Sequence, residues 1–247
     1  MTRHPELDLL RTLAVVMMIA FHLAYDLHAF YGWGIDPFAG GWLVLQRATA
    51  SLFLGLVGVG FAISWDRHIA HHPHPTASHG SPLLKYAKRG LALIGIGIIV
   101  SLVTWVIDPG TYVRFGVLHL IGTGILLLPF FARMKEWNVV LGMIIMMGVV
   151  AGDAALPTSL LIPLGFPPAG FSSVDYFPLM PWFGVMLIGY GAGYWIYVRH
   201  KRPFSFTVDK KLAWMTWPGR KALWIYLGHQ PILIVILWLM MGRPAVI

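Results

Sequence analysis

Residues 9–32 read LLRTLAVVMMIAFHLAYDLHAFYG, and the ten residues between Arg11 and His22, Thr12 to Phe21, include no ionisable group. A run of this length and apolarity matches the ~20 residues that a helix needs to cross hydrocarbon. It lacks the alternation of apolar and polar residues that marks a barrel strand. Inside a bilayer a helix satisfies its backbone N–H and C=O groups within its own segment, so helix is the predicted state. Stretches with the same character occupy 42–64, 84–107, 115–133, 138–155, 179–198 and 220–241. Together with 9–32 they predict an all-α polytopic bundle of about seven spans, forming one domain over residues 1–247. The whole chain agrees, with 57% hydrophobic residues, 11% charged residues and a mean hydropathy of +0.71. Too little polar surface remains to wet a soluble domain of this size.

Seven crossings place fifteen of the eighteen Lys and Arg residues on the side of the N-terminus, leaving Arg47, Arg114 and Arg243 on the other. The positive-inside bias then predicts a cytoplasmic N-terminus and an outward C-terminus. Membrane lipids are the expected partners of the formal charge of +8, since anionic headgroups attract each basic residue by about 1 kcal/mol. No nucleic acid is needed to explain it. The basic N-terminus before an apolar run has the outline of a signal peptide. However, His22, Asp26 and His28 interrupt the run and no small-residue cleavage site follows, so a retained first helix is expected.

Ionisable groups inside a membrane are costly and mark function. Eleven residues at about 100° each return Arg11 and His22 to nearly one face, about 16 Å apart along the axis. Tyr25 and Asp26 follow His22 at helical spacing, so Asp26 is placed to accept a hydrogen bond from one imidazole nitrogen and leave the other as a base. His28 lies farther along the same helix. His119 and His229 enter two other spans beside the small residues Gly116, Gly122, Gly124 and Gly228, which permit close helix approach around a buried site.

Two loops stand out. The segment 66–81 carries His68, His71, His72, His74 and His79 among prolines, without apolar periodicity, and reads as a solvated cytoplasmic linker. No cysteine completes a ligand set there, so no metal is expected. The loop 153–177 is long and proline-rich and leads into Asp175, Tyr176 and Trp182. It suits a cover over a site or a headgroup-level aromatic anchor. With no cysteine in the chain, any covalent chemistry must use another nucleophile, and histidine leads.

Leu7-Asp8-Leu9-Leu10-Arg11, ten residues and His22 resemble the Arg-X10-His signature of transmembrane acyltransferases. Further stretches agree in order: His22 to Leu27, Arg114 to Gly122, Asp175 to Gly184, and Gly219 to His229 with Tyr226 inside it. Together they resemble the heparan-alpha-glucosaminide N-acetyltransferase-like branch, which has many bacterial members, over nearly the whole chain. The resemblance implies transfer of an acetyl or other acyl group from cytoplasmic acyl-CoA to an amine or hydroxyl of a carbohydrate-like acceptor on the far side. In the lysosomal enzyme that names the branch, the proposed catalytic histidine sits nearer the luminal end of the first span. His22 and His28 therefore both stay candidates.

On this reading Arg11, Lys85, Lys88 and Arg89 hold the phosphates of acetyl-CoA, because guanidinium groups suit bidentate phosphate recognition. His22, oriented by Asp26, acts as general base or forms an acyl-histidine. Tyr25, Arg114, His119, Asp175, Tyr226 and His229 are candidates for acceptor binding or oxyanion stabilisation. No haem is expected, although histidines on several spans would also suit a b-type cytochrome. A homo-oligomer is compatible with this reading, and the setting it implies is a bacterial plasma (inner) membrane. A proton-coupled small-molecule transporter is the rival, since membrane histidines and carboxylates also build proton relays.

Overall fold

The computed structural model describes residues 4–71, 81–148, 159–202, 206 and 208–243. Among the described residues there are eight α-helices: α1 Pro5–Tyr31, α2 Gly40–His71, α3 Pro82–Ile107, α4 Val117–Phe131, α5 Asn138–Gly148, α6 Leu179–Gly193, the single turn α7 Trp217–Arg220, and α8 Ala222–Met241. A π-helical turn, Tyr194–Arg199, extends α6. Among the described residues the only sheet-like pairing is the isolated bridge between Phe115 and Tyr176. The protein is an all-α polytopic membrane protein. His72, His74 and His79 of the histidine-rich linker, and residues 149–158 of the predicted fifth span and outward loop, lie outside the described residues.

Among the described residues six helical stretches are long and apolar enough to cross a membrane. Their burial supports the same conclusion. The α3 window has a mean hydropathy of 2.5 but is only 17% buried within the protein, and that of α8 is 11% buried. Ile107, Met147 and Leu239 are each more than 70% exposed, a distribution that water would penalise and lipid accepts.

The fourth stretch, Val117–Gly148, is not straight. Lys135 takes φ 52° and ψ −128°, which breaks the helix. The fully buried Asn138 fastens the break by donating from Nδ2 to the carbonyls of Phe131 and Lys135, at 2.9 Å each. The packing partners show that the chain turns back there. Along α4, Gly124 lies against Met186, and farther along the Ala132 carbonyl accepts from Tyr190, so α4 runs parallel to α6. Gly142 meets Gly184 and Ile188 whereas Gly191 meets Val139, so α5 runs antiparallel to α6.

The contacts divide the chain into two compact units, residues 1–56 with 204–247, and residues 57–203. In the second unit glycines bring backbones together. A Cβ on Gly90 would lie 2.7 Å from the Gly122 carbonyl oxygen, and one on Gly122 would lie 2.7 Å from that of Gly90. This reciprocal approach of α3 and α4 is a small-residue membrane interface. Gly122→Val is therefore expected to destabilise the protein by about 1–3 kcal/mol. A thermal-unfolding scan in detergent checks this, and an unchanged midpoint would contradict the packing.

In the first unit, α1 begins with Pro5 in its first turn and carries Glu6 and Asp8 there, which suits the positive end of the helix dipole. It stops at Gly32, whose φ of 66° lets its N–H reach the His28 carbonyl. Helix α8 runs parallel to it. Gly219 just before α8 packs on Asp8, and the Tyr31 hydroxyl near the other end of α1 donates to the Gly242 carbonyl at 3.2 Å.

Candidate active site

His22 lies on α1 and His229 on α8, and their rings meet edge to face with centroids 4.7 Å apart. Nδ1 of His22 is 2.9 Å from the Met18 carbonyl, and Nδ1 of His229 is 2.7 Å from the Tyr226 carbonyl. A carbonyl can only accept, so each Nδ1 carries the proton and each neutral imidazole presents a bare Nε2 lone pair. Two bases thus sit side by side.

Asp26, one turn beyond His22, is fully buried. Its Oδ1 accepts from Nε2 of Gln230 at 2.6 Å. Three buried atoms of this cluster have no protein hydrogen-bond partner: Oδ2 of Asp26, Oε1 of Gln230 and Nε2 of His229. All three are acceptors when the imidazole is neutral and the carboxyl ionised. The cluster is therefore short of hydrogen-bond donors. A hydroxyl or amine entering it would find several acceptors and a base.

The expected His22–Asp26 hydrogen bond is corrected by this geometry. Side chains on an α-helix lean toward its N-terminus, so His22 reaches back to Met18 and Asp26 pairs across to α8. Gln230 was not among the expected site residues; its only local signal was a polar side chain next to His229 in an apolar run.

If Gln230 holds Asp26, Gln230→Leu orphans a buried carboxylate. The expected loss is about 1–3 kcal/mol of stability. The double variant Asp26→Leu with Gln230→Leu should recover much of it, because removing both partners leaves nothing unpaired. A double-mutant cycle on thermal unfolding measures this, and simple additivity would contradict the pairing.

The remaining candidates are placed as follows. Tyr25 is half-buried with its ring 5.9 Å from that of Phe38. His28 is exposed and its Nδ1 lies 3.2 Å from the Trp33 carbonyl. Tyr226 supplies the carbonyl that orients His229, and its ring lies 5.8 Å from that imidazole. Arg11 pairs with Asp8, Nη1 to Oδ1 at 2.9 Å, at the Gly219 end of α1. Gly219 packs on the Asp8 carbonyl and the Arg11 Cβ. Its N–H donates to the Thr12 hydroxyl at 2.9 Å, which in turn donates to the Met215 carbonyl at 2.7 Å. This seam brings the exposed Arg220 and Lys221 to the Arg11 end of the unit, a pairing that local sequence did not signal.

The second unit holds a separate set. His119 packs over Gly97, whose Cβ would lie 2.9 Å from the ring, and its buried Nδ1 has no hydrogen-bond partner. The Arg114 guanidinium lies 5.0 Å from the ring centroids of both Tyr112 and Phe171. Oδ2 of Asp175 accepts from the Val117 N–H at 3.2 Å, as a cap on the first turn of α4. The Tyr176 hydroxyl donates to the Ile162 carbonyl at 2.7 Å, and burial pushes its pKa above the ordinary value. Lys85, Lys88 and Arg89 are exposed on the first turns of α3, where the helix dipole is also positive. Among the described residues no group of three His, Asp or Glu side chains could hold a metal ion.

The profile of the heparan-alpha-glucosaminide N-acetyltransferase catalytic family matches residues 3–231. The chain belongs to that family. No curated protein and no solved structure matches it. Family membership supports an acetyltransferase-type function in a multi-pass membrane protein. The match also runs through both units, so it takes in the His22, Asp26, His229 cluster as well as Arg114, His119 and Asp175.

Proposed function

We propose that the protein is a membrane-embedded acyltransferase that takes an acetyl or other acyl group from cytoplasmic acyl-CoA. It delivers that group to a hydroxyl or amine of a sugar-like acceptor on the non-cytoplasmic side, in a bacterial inner membrane. The observation that carries this reading is the donor-poor cluster around His22, in which buried acceptor atoms adjoin the bare Nε2 of two imidazoles. An acceptor nucleophile is a hydrogen-bond donor before it reacts, and these are the groups that would bind it and take its proton.

In this reading seven spans, with the N-terminus inside, put Arg11, Arg220 and Lys221 at the cytoplasmic end of the first unit. His22 then lies about 16 Å into the membrane. Nε2 of His22 removes the proton as the acceptor oxygen or nitrogen attacks the thioester carbonyl. The tetrahedral intermediate expels the CoA thiolate, and His22 returns the proton to it. General-base action of this kind typically contributes 10²–10⁴-fold. His229, held by Tyr226, is the nearest second imidazole, and its Nε2 would accept a hydrogen bond from the acceptor nucleophile. The cations of Arg11, Arg220 and Lys221 would meet the CoA phosphates. Lys85, Lys88 and Arg89 are a second cationic group, at a helix N-terminus, to be tested for the same role.

Purified protein supplied with acetyl-CoA and a panel of amino sugars and polyols should release CoA only when an acceptor is present. Movement of an unmodified panel compound across proteoliposomes, with no CoA released, would favour the transporter.

A further inference from the structure

Along α1 and α8 the first unit has a groove of about 670 Å³ that shares His229 with the polar cluster. Ile19 forms part of one wall, while Lys221, Trp224, Gly228, His229 and Ile236 mark its course along α8. A volume of this size is that of a small-molecule site. Its chemistry changes along its length. Lys221, exposed, stands at one end. His229, only 7% exposed, lines the groove about halfway along. Beyond it Ile232, Leu233 and Ile236 are all aliphatic.

The spacings follow from helix rise. Lys221 and His229 are separated by about 12 Å, and His229 and Ile236 by about 10 Å. A ligand that fits has an anionic end, a reactive centre roughly a pantetheine arm away, and an apolar tail beyond the reactive centre. We propose that this groove receives a medium-chain acyl-CoA, with a phosphate at Lys221, the thioester beside His229 and the acyl tail over Gly228 and along Ile232 to Ile236. The inference rests on the acyl-transfer reading above and adds the donor's chain length to it. The tail contributes affinity by leaving water for an apolar wall. Among the described residues no acidic side chain lines the groove to oppose the anionic end.

Gly228 provides the test, because a Cβ there would meet only the Ile232 Cδ1, at 3.8 Å. A larger side chain fills the groove without colliding with backbone. The full chain in lipid nanodiscs is titrated with acetyl-CoA and with octanoyl-CoA by calorimetry. Octanoyl-CoA is expected to bind at least tenfold more tightly. Gly228→Val should bring the two donors within about twofold of each other, whereas Val235→Leu, on an exposed part of α8 away from the groove, should keep the full preference. Lys221→Met should weaken both donors by one factor and leave the preference intact.

Equal affinities in the unaltered protein would overturn the proposal and assign the groove to bilayer lipid. A preference that survives Gly228→Val would overturn it too, since the tail would then be partitioning into the bilayer. If acetyl-CoA binds and is consumed without any chain preference, only this inference fails. If neither donor binds and no CoA is released, the acyl-transfer reading fails with it.

Discussion

His22→Ala is expected to lower acyl transfer at least a hundredfold while changing acetyl-CoA affinity by less than twofold. The reason is positional. His22 presents its Nε2 within the donor-poor cluster, whereas the cations proposed to hold the phosphates lie about 16 Å away along α1. Removing the base takes away proton transfer, worth 10²–10⁴-fold in typical cases, without disturbing the phosphate contacts. His28→Ala should retain most of the rate, because His28 is exposed and turned to the Trp33 carbonyl. The check is a kcat against binding comparison of both variants with the unaltered protein. Loss of activity in His28→Ala but not His22→Ala would move the catalytic base about one and two-thirds turns along the helix. Equal loss of donor binding in His22→Ala would contradict the division of labour.

Gly219→Val is expected to be the most damaging single change to the first unit. A side chain at 219 would collide with the Asp8 carbonyl and crowd the Arg11 Cβ, and neither backbone can yield without opening the α1–α7 seam. The Gly219 N–H donated to Thr12 would be lost with it. Overpacking of this kind typically costs 1–3 kcal/mol and occasionally more, so a loss of about 3 kcal/mol is expected. Gly228→Val on the same helical arm has open space and should cost little. Thermal unfolding of the two variants side by side tests the contrast. Equal midpoints would mean that the close approach at Gly219 does not hold α1 to α7.

The helices were legible in the sequence because hydrocarbon imposes a length and a composition that local reading detects. The α1 run from Leu9 to Gly32 is the clearest case, and its ionisable residues stood out against it. The α4–α5 boundary was also readable, from the polar residues Arg133 to Asn138. What escaped local reading were pairings between helices. Asp26 meets Gln230, 204 residues away, and nothing in the periodicity of either helix announces it. The Arg-X10-His spacing placed two side chains on one face but not their directions, and the backward lean of helical side chains gives His22 to Met18. Gly219 could be read as a small residue in a motif. Its role in bringing Arg220 and Lys221 to the Arg11 end needed the packed structure.

Isotope-labelled acetyl-CoA, offered to the cytoplasmic face of sealed inverted vesicles that hold the acceptor inside, tests the central claim most directly. The expected result is labelled acetyl on the internal acceptor, one equivalent for each CoA released outside, and none with His22→Ala. Entry of unmodified compounds without labelled product, or equal labelling by His22→Ala, would contradict the account.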